Sequence, residues 1–260
     1  MEVEAGLYVT SPAYTALQYL RGRSFAEAVM LLMELTGTYS LPPDAMPHLA
    51  WRGIWPETTA QSAPQTIEQA HYKCEPAVTI KELKQMAKRA TSSSDRAFKQ
   101  AVQYIAEGSA SPAESLCYAM FSLPTRYGGF GCGSLGKGFK LNHTIRFNDQ
   151  ARQMASGIPY AICDAYLEAA NADIEYNGIG HELANARIHD GQRNNGLKGM
   201  GIAVIVVNRE QMKDIAALEG IARDLHKRVG SRLRYRYKGY RQRQISLLNG
   251  LRKAIGLAPV

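Results

Sequence analysis

Two acidic residues, Asp164 and Glu175, lie in neighbouring segments whose residue patterns are typical of β-strands. A glycine-containing turn follows Glu175, and His181 lies just beyond it. A third acid, Glu114, lies near the start of a predicted helix. Carboxylates are oxygen ligands of the kind that Mg²⁺ prefers, and a magnesium ion held by them can polarise a phosphodiester and activate a water molecule. These residues are therefore the first candidates for chemistry.

Each of the three acids also has a structural interpretation. Glu114 follows Ser111 by three positions and could complete the capping box of its helix. Asp164 stands among apolar residues, where a buried carboxylate needs a partner, so a functional role is favoured. Glu175 precedes a turn and could be the solvated end of a strand.

The polar residues after the turn are weaker candidates. His181 lies at the start of a predicted helix, where a histidine is often an ordinary surface residue. Asp190 and Arg193 lie at helical spacing, and a surface salt bridge between them is the default explanation.

The elements that must position these residues follow one another after residue 110. The patterns predict a helix at 111–124, strands at 139–147, 160–168 and 172–178, a helix at 181–201, a strand at 202–208 and a helix at 212–230. The strand at 202–208 is almost wholly apolar, which predicts burial on both faces. The glycine-rich stretch at 126–139 fits neither a Walker loop nor a dinucleotide fingerprint, so we expect a flexible loop there.

A three-stranded meander, a crossover helix and a fourth strand form the core of the restriction-endonuclease-like fold. We therefore predict an α/β (α+β) domain of this type over residues 109–230, with a mixed sheet flanked by helices. In that fold one acid lies on the first helix, one on the second strand and one on the third. These positions correspond to Glu114, Asp164 and Glu175, which we predict to hold Mg²⁺ or Mn²⁺, with the carbonyl of Tyr176 as a further ligand.

A mainly helical region is predicted before this domain, at 1–108. Helical patterns cover 12–36, as two helices, and 79–107. Ser24 and Glu27 have the spacing of a capping box at the start of the second helix. Residues 41–76 carry much of the proline and both tryptophans, which predicts an irregular insertion or long loop.

The composition is that of an ordinary globular protein. The 260 residues are 45% hydrophobic and 21% charged, which allows a sizeable core. No apolar run reaches the ~18 residues expected of a membrane span, and the N-terminus lacks the pattern of a signal peptide. The four cysteines are scattered without a CxxC pair, which favours reduced thiols and a cytoplasmic location.

The net charge of +8 is concentrated near the C-terminus. Residues 223–253 contain eleven basic residues and one acid, so the rest of the chain is slightly acidic. We interpret 231–260 as a basic arm, and such an arm indicates a polyanionic partner, nucleic acid first. The predicted nucleic-acid contacts are Arg232, Arg234, Arg236, Lys238, Arg241 and Arg243.

The basic arm also has an alternative interpretation. From 231 to 244 basic residues at first alternate with leucine or tyrosine, and this period of two predicts a strand or an extended segment. The charges of such a segment could track phosphates, with tyrosines stacking on exposed bases. They could equally protect an edge strand from aggregation.

Three stretches resemble the endonuclease-domain proteins related to very-short-patch-repair nucleases. They are SPAES at 111–115, CDAYLEAANADIEYNGIGHE at 163–182 and ARIHDGQRNNGLKGMGIAVIVVNREQM at 186–212. The resemblance implies His181 as a proton carrier or phosphate contact. The stretch YVTSPAYTALQYL at 8–20 is also similar to the region before this domain in those proteins, some of which carry an AbiEi-like antitoxin module.

The sequence departs from that family at Asn177. The family usually has Asp there, and better-studied nucleases of the fold usually have Lys, which steadies the attacking water. Asn177 can hydrogen-bond, but it has neither a negative charge nor a transferable proton. We include it among the predicted catalytic positions, as the one that decides how strong the metal site is.

These observations support three hypotheses about function. The leading one is a magnesium-dependent DNA endonuclease. The second is a catalytically silent DNA-binding protein, such as a repressor or antitoxin component, and the third is an interaction scaffold whose basic tail binds an acidic partner. Metal binding through the acids discriminates the first from the second, and steeply salt-dependent DNA binding separates both from the third.

Overall fold

The computed structural model describes residues 2–41, 70–177 and 184–260. The chain divides into two compact units, Met1–Leu116 with Leu247–Val260 and Cys117–Ser246. The predicted basic arm at 231–260 is therefore divided between the two units. Among the described residues, no helix combines the length and the apolar character needed to cross a membrane.

The first unit is mainly helical. Its elements are strands β1 (Glu2–Glu4) and β2 (Leu7–Tyr8), helices α1 (Pro12–Tyr19) and α2 (Phe25–Leu35), strands β3 (Tyr39–Ser40) and β4 (His71–Tyr72), helices α3 (Ile80–Arg89) and α4 (Arg96–Ala101), and the start of helix α5 (Pro112–Ser122). Residues 42–69, with both tryptophans, lie outside the described residues. At the described end of the predicted insertion, β4 pairs antiparallel with β3, so this end belongs to a two-stranded sheet.

The predicted capping box at the start of α2 is confirmed. Ser24 Oγ accepts the N–H of Glu27 at 3.2 Å, and Glu27 Oε2 accepts the N–H of Ser24 at 2.9 Å. The helix ends before Gly37, where a Cβ atom would lie only 2.6 Å from the carbonyl oxygen of Ser109. The close approach of these two backbone segments therefore requires glycine at this position.

Glu34 is the acid of α2 that turns away from solvent. Its Oε1 accepts the N–H of Leu41 at 2.7 Å, whereas its Oε2 is buried without a hydrogen-bond partner among the described residues. Burial raises the pKa of Glu34 to about 7, because removal from water disfavours the charged form.

The second unit contains the predicted mixed sheet with flanking helices. Its elements are β5 (Phe139–Arg146), α6 (Asp149–Met154), β6 (Tyr160–Leu167), β7 (Ala172–Asn177), α7 (Ala184–Gly199), β8 (Ala203–Asn208), α8 (Ile215–Arg228) and the first part of α9 (Tyr240–Ala254). The strand order is β5-β6-β7-β8, with antiparallel pairs except for the parallel pair of β7 and β8. The predicted meander, crossover helix and fourth strand are thus observed, and the short helix α6 was not predicted.

Helix α7 packs on the sheet through a small apolar core. Cys163, Leu197 and Ile202 are buried together in this core. The helix passes so close to the end of β5 that a Cβ atom at Gly196 would lie 2.2 Å from the ring of Phe147. The glycines of this helix therefore allow close packing at the point where the helix approaches its neighbours.

Two predictions about apolar and glycine-rich segments are wrong. Strand β8 is not buried on both faces: Val206 is 44% exposed, because β8 lies at the edge of the sheet. The glycine-rich stretch is close-packed, since Phe130 is fully buried and a Cβ atom at Gly129 would lie 2.1 Å from the carbonyl oxygen of Leu123. Gly129 is therefore needed for close contact rather than for freedom of movement.

The predicted extended segment at 231–244 is wrong in its second half. Residues 231–236 have no regular secondary structure, and α9 begins at Tyr240. From this point Gln244, Leu248 and Leu251 recur at helical spacing and are buried. The period of two that the basic residues show at 232–238 therefore ends before α9, where the buried helical stripe begins.

We predict that Glu34 makes the stability of the protein fall as the pH rises from 5 to 8. Its ordinary pKa of 4.5 is raised to about 7 in the fold, so within this window the folded chain keeps a proton that the unfolded chain has lost. The loss should be roughly 2–3 kcal/mol and level off above the raised pKa. Urea unfolding across this pH range should show a smaller decline for Glu34→Gln, whereas the exposed control Glu75→Gln should keep the parent's decline. Equal declines in all three proteins would contradict the prediction.

Candidate functional site

Strands β6 and β7 diverge in the middle of the sheet. They pair only over 165–167 of β6 and 172–174 of β7. On their other sides β6 pairs with β5 from Tyr160 to Leu167, and β7 pairs with β8 from Ala172 to Asn177. Where the two strands separate, backbone N–H and C=O groups lose their ladder partners and need others.

Two carboxylates act as hydrogen-bond partners for backbone N–H groups at this place. Asp164 Oδ2 accepts the N–H of Tyr176 at 3.2 Å, and Asp173 Oδ1 accepts the N–H of Ala165 at 3.2 Å. Each acid thus lies on one strand and bonds the backbone of the other, so the two acids join β6 to β7 at the point of divergence.

Arg193 of α7 supplies the positive charge. Its guanidinium forms an ion pair with Glu175, lies 3.8 Å from Oδ2 of Asp173 and donates to the carbonyl of Ile162. The side chains of Arg193 and Glu175 are only 16% and 15% exposed, and that of Asp173 is fully buried. Among the described residues, Arg193 therefore pairs with the acids of β7 and not, as predicted, with Asp190 at the surface.

A cleft of about 350 Å³ opens beside these residues. Asp164, Glu175 and Asn177 line it from the strands, and Asp190 and Asn194 line it from α7. Three of the five predicted catalytic positions are thus together in one cleft. They belong to two strands and face a helix that carries two further oxygen-bearing side chains.

The other two predicted catalytic positions are not placed in this cleft. Glu114 belongs to the first unit. Its Oε2 accepts the N–H of Ala110 at 2.9 Å, and its backbone N–H donates to Ser111 Oγ at 3.1 Å. It takes part in the cap of α5, and its union with the acids of the second unit stays a prediction. His181 lies outside the described residues.

Some buried oxygen atoms in and behind the cleft lack hydrogen-bond partners. Glu175 Oε1 and Asn194 Oδ1 at the cleft, and Asp173 Oδ2 behind it, are buried and have no hydrogen bond among the described residues, although Arg193 is ion-paired with Glu175. Over the described ranges, no group of three His, Cys, Asp or Glu side chains is arranged to hold a metal ion. Metal binding by Asp164 and Glu175 therefore stays a prediction, and an ion held by these two carboxylates would need water or substrate to complete its ligands.

Burial shifts the proton affinity of the groups behind the cleft. It raises the pKa of Asp173 to about 8, and the negative charge of Glu175 adds to this effect. Burial also raises the pKa of the Cys163 thiol, with a further contribution from Asp173. A thiol held in this way lacks the thiolate character of a nucleophile, so the chemistry of the cleft rests on its oxygen groups.

Some of the basic residues predicted to contact nucleic acid already form contacts within the protein. Arg241 forms a 2.8 Å ion pair with Glu219, and Arg243 donates to the carbonyl of Arg126 at 3.3 Å. The remaining four predicted contacts are exposed and lie before α9: Arg232, Arg234, Arg236 and Lys238. Internal contacts therefore engage two of the six predicted nucleic-acid contacts.

Comparisons of the chain with protein-family models, with curated proteins and with solved structures found no match. The resemblance to the very-short-patch-repair-like endonucleases therefore stays a prediction from the sequence.

We predict that Arg193→Met destabilises the second unit by about 3 kcal/mol, because it leaves the buried carboxylate of Glu175 without a compensating charge. Arg228→Met is the control, since its partner Asp224 is exposed and such pairs contribute ~0.5 kcal/mol or less. Chemical unfolding of both variants measures the difference. Adding Glu175→Gln to Arg193→Met should recover part of the loss, and equal effects of Arg193→Met and Arg228→Met would contradict the assignment of a buried ion pair.

Proposed function

We propose that this protein binds nucleic acid through a restriction-endonuclease-like domain and hydrolyses phosphodiesters in its acidic cleft with the help of Mg²⁺ or Mn²⁺. The observation that carries the proposal is the meeting of Asp164 and Glu175 in one cleft where β6 and β7 diverge. The strand order and the parallel fourth strand after a crossover helix support the fold assignment.

The two carboxylates suit a magnesium ion, since Mg²⁺ usually takes one or two protein carboxylates and keeps several waters. Asp164 and Glu175 would hold the ion, with the carbonyl of Tyr176 as a further ligand. When bound, it would polarise a phosphodiester and lower the pKa of a water molecule. The resemblance adds Glu114 as a third acid and His181 as a proton carrier.

The protein's own groups prepare the cleft. The N–H of Tyr176 fixes one oxygen of Asp164 by a hydrogen bond. Arg193 holds the carboxylate of Glu175 by an ion pair. Asn177 lies at the end of β7, where its amide can orient a water molecule by hydrogen bonding but can neither supply nor remove a proton.

A specific observation favours a second candidate, the catalytically silent DNA-binding protein. The guanidinium of Arg193 already provides the positive charge beside Glu175, so a divalent ion has to compete with it. Asn177 adds no negative charge to the site. On this alternative the cleft is a structural remnant of the fold, and only the basic residues contribute to function.

We predict that Asp164→Asn and Glu175→Gln each reduce plasmid nicking at least ~100-fold in the presence of Mg²⁺ or Mn²⁺, because each removes a charged metal ligand whose contribution amounts to several kcal/mol. Asp224→Asn, a surface change on α8, is the matched control and should keep the parent's rate. Nicking that survives in both cleft variants would overturn the assignment of these acids. DNA binding without nicking by the parent protein would support the silent candidate.

We also predict that Asn177→Asp tightens the binding of Mn²⁺, because it adds a carboxylate to a cleft that offers few. Calorimetric titration of the parent and the variant measures the change without reference to activity. Equal affinity of the two proteins would mean that this side chain does not face the ion.

A further inference from the structure

A second cleft of the Cys117–Ser246 unit lies where α8 ends. It has a volume of about 550 Å³ and is lined by the basic side chains of Arg223, Lys227, Arg232 and Arg234, around the turn at 230–231. Two of these four residues, Arg223 and Lys227, belong to α8 and were not among the predicted nucleic-acid contacts. The cleft thus collects positive charge from two separate stretches of chain.

The turn that forms this cleft is fixed by hydrogen bonds. Gly230, with φ of +70°, donates its N–H to the carbonyl of Lys227 at 3.0 Å, and Ser231 donates its N–H to the carbonyl of His226 at 2.9 Å. These two bonds form a Schellman motif, which satisfies the last carbonyls of α8. The buried His226 reinforces it, because its ring nitrogens lie 3.0 Å from Ser231 Oγ and 3.1 Å from the carbonyl oxygen of Phe130. The backbone of the cleft is therefore held in one shape.

The basic side chains around this turn are exposed, and Arg223 pairs with Glu219. Arg232 and Arg234 are exposed on either side of the buried Leu233, which anchors the chain between them. Among the described residues, no acid forms an ion pair with Lys227, Arg232 or Arg234. Cations gathered around a fixed turn without acidic partners repel one another, and an anion that binds among them relieves this repulsion.

We propose that this cleft binds consecutive phosphate groups of a nucleic-acid backbone. Arg232 and Arg234 have guanidinium groups, whose planar forks match phosphate oxygens better than a lysine ammonium does. Tyr237 lies just beyond them and is 46% exposed, and because Arg243 lies 5.6 Å over its ring a base would stack on the opposite face. A site that offers cations for phosphates beside an aromatic ring for a base fits a polynucleotide better than an acidic protein, which has carboxylates but no bases.

The proposal rests on the proposed nucleic-acid binding but not on catalysis. It also divides the basic residues into two groups. Lys227, Arg232 and Arg234 contact the phosphates, whereas Arg223 and Arg241 pair with Glu219 and Arg243 bonds the carbonyl of Arg126 within the same unit.

The test is the salt dependence of binding to a short DNA duplex, measured by fluorescence anisotropy in EDTA so that no cleavage takes place. Each phosphate contact contributes ~0.9 to the slope of log affinity against log salt, so the double variant Arg232→Gln, Arg234→Gln should lower the slope by ~1.8 and weaken binding. The control is Lys81→Gln with Lys84→Gln, two exposed lysines on α3, which removes the same charge from the other unit and should leave the slope unchanged. Lys227→Gln is a second variant in the cleft and should lower the slope by ~0.9.

Each outcome of this experiment either supports or overturns the proposal. An unchanged slope in the cleft variants, or an equal change in the lysine control, overturns the proposal, because the effect is then absent or only one of overall charge. Competition by polyglutamate as strong as that by the duplex also overturns it, in favour of an acidic protein partner. Loss of the slope in the cleft variants of a protein that never nicks plasmid DNA supports this cleft while the catalytic proposal fails. Thermal unfolding of each variant checks that the exposed substitutions leave the fold intact.

Discussion

The separation of β6 from β7 is the constraint on which the second unit depends. A sheet whose inner strands diverge exposes backbone groups that must find other partners, and here the partners are side chains. Asp164 and Asp173 each accept a backbone N–H of the opposite strand. Beside them Arg193 of α7 pairs with Glu175 and lies 3.8 Å from Asp173. The position of the helix, the polar cluster and the cleft are consequences of one opening in the sheet.

The same ion pair determines what the cleft can do. Glu175 is paired with Arg193, and its Oε1 has no hydrogen-bond partner among the described residues. A divalent ion that binds here is attracted by Glu175 but weakens the ion pair of Glu175 with Arg193. The net free energy of ion binding is therefore less favourable than at a carboxylate without such a partner. Phosphate oxygens of a bound substrate would restore the balance, because they give the guanidinium another anion. On this argument metal and nucleic acid bind better together than either does alone.

The sequence predicted the strands and the acids of the cleft but not the interaction between them. Asp164 and Glu175 were found from the positions that acids take in the predicted fold, and Asn177 from its departure from the family resemblance. Asp173 was missed although it precedes Glu175 by two positions, the strand period, because its burial depends on α7. Arg193 was assigned to the surface because sequence spacing favours a partner on its own helix. Contacts between distant segments decided both cases, and periodicity contains no information about them.

The distribution of exposed charge could likewise be predicted only in part from the sequence. Net charge is read from the sequence, whereas the pairing of Arg241 with Glu219 is known only from the fold. What remains exposed lines one cleft of the unit with cations, while the other cleft is lined with acids. A polyanion is repelled by the acids until an ion or Arg193 compensates them. Attraction at the cationic cleft can offset that repulsion without altering the acidic residues. The basic residues would therefore retain a nucleic acid that the acidic cleft alone repels, whether or not the cleft then cleaves it.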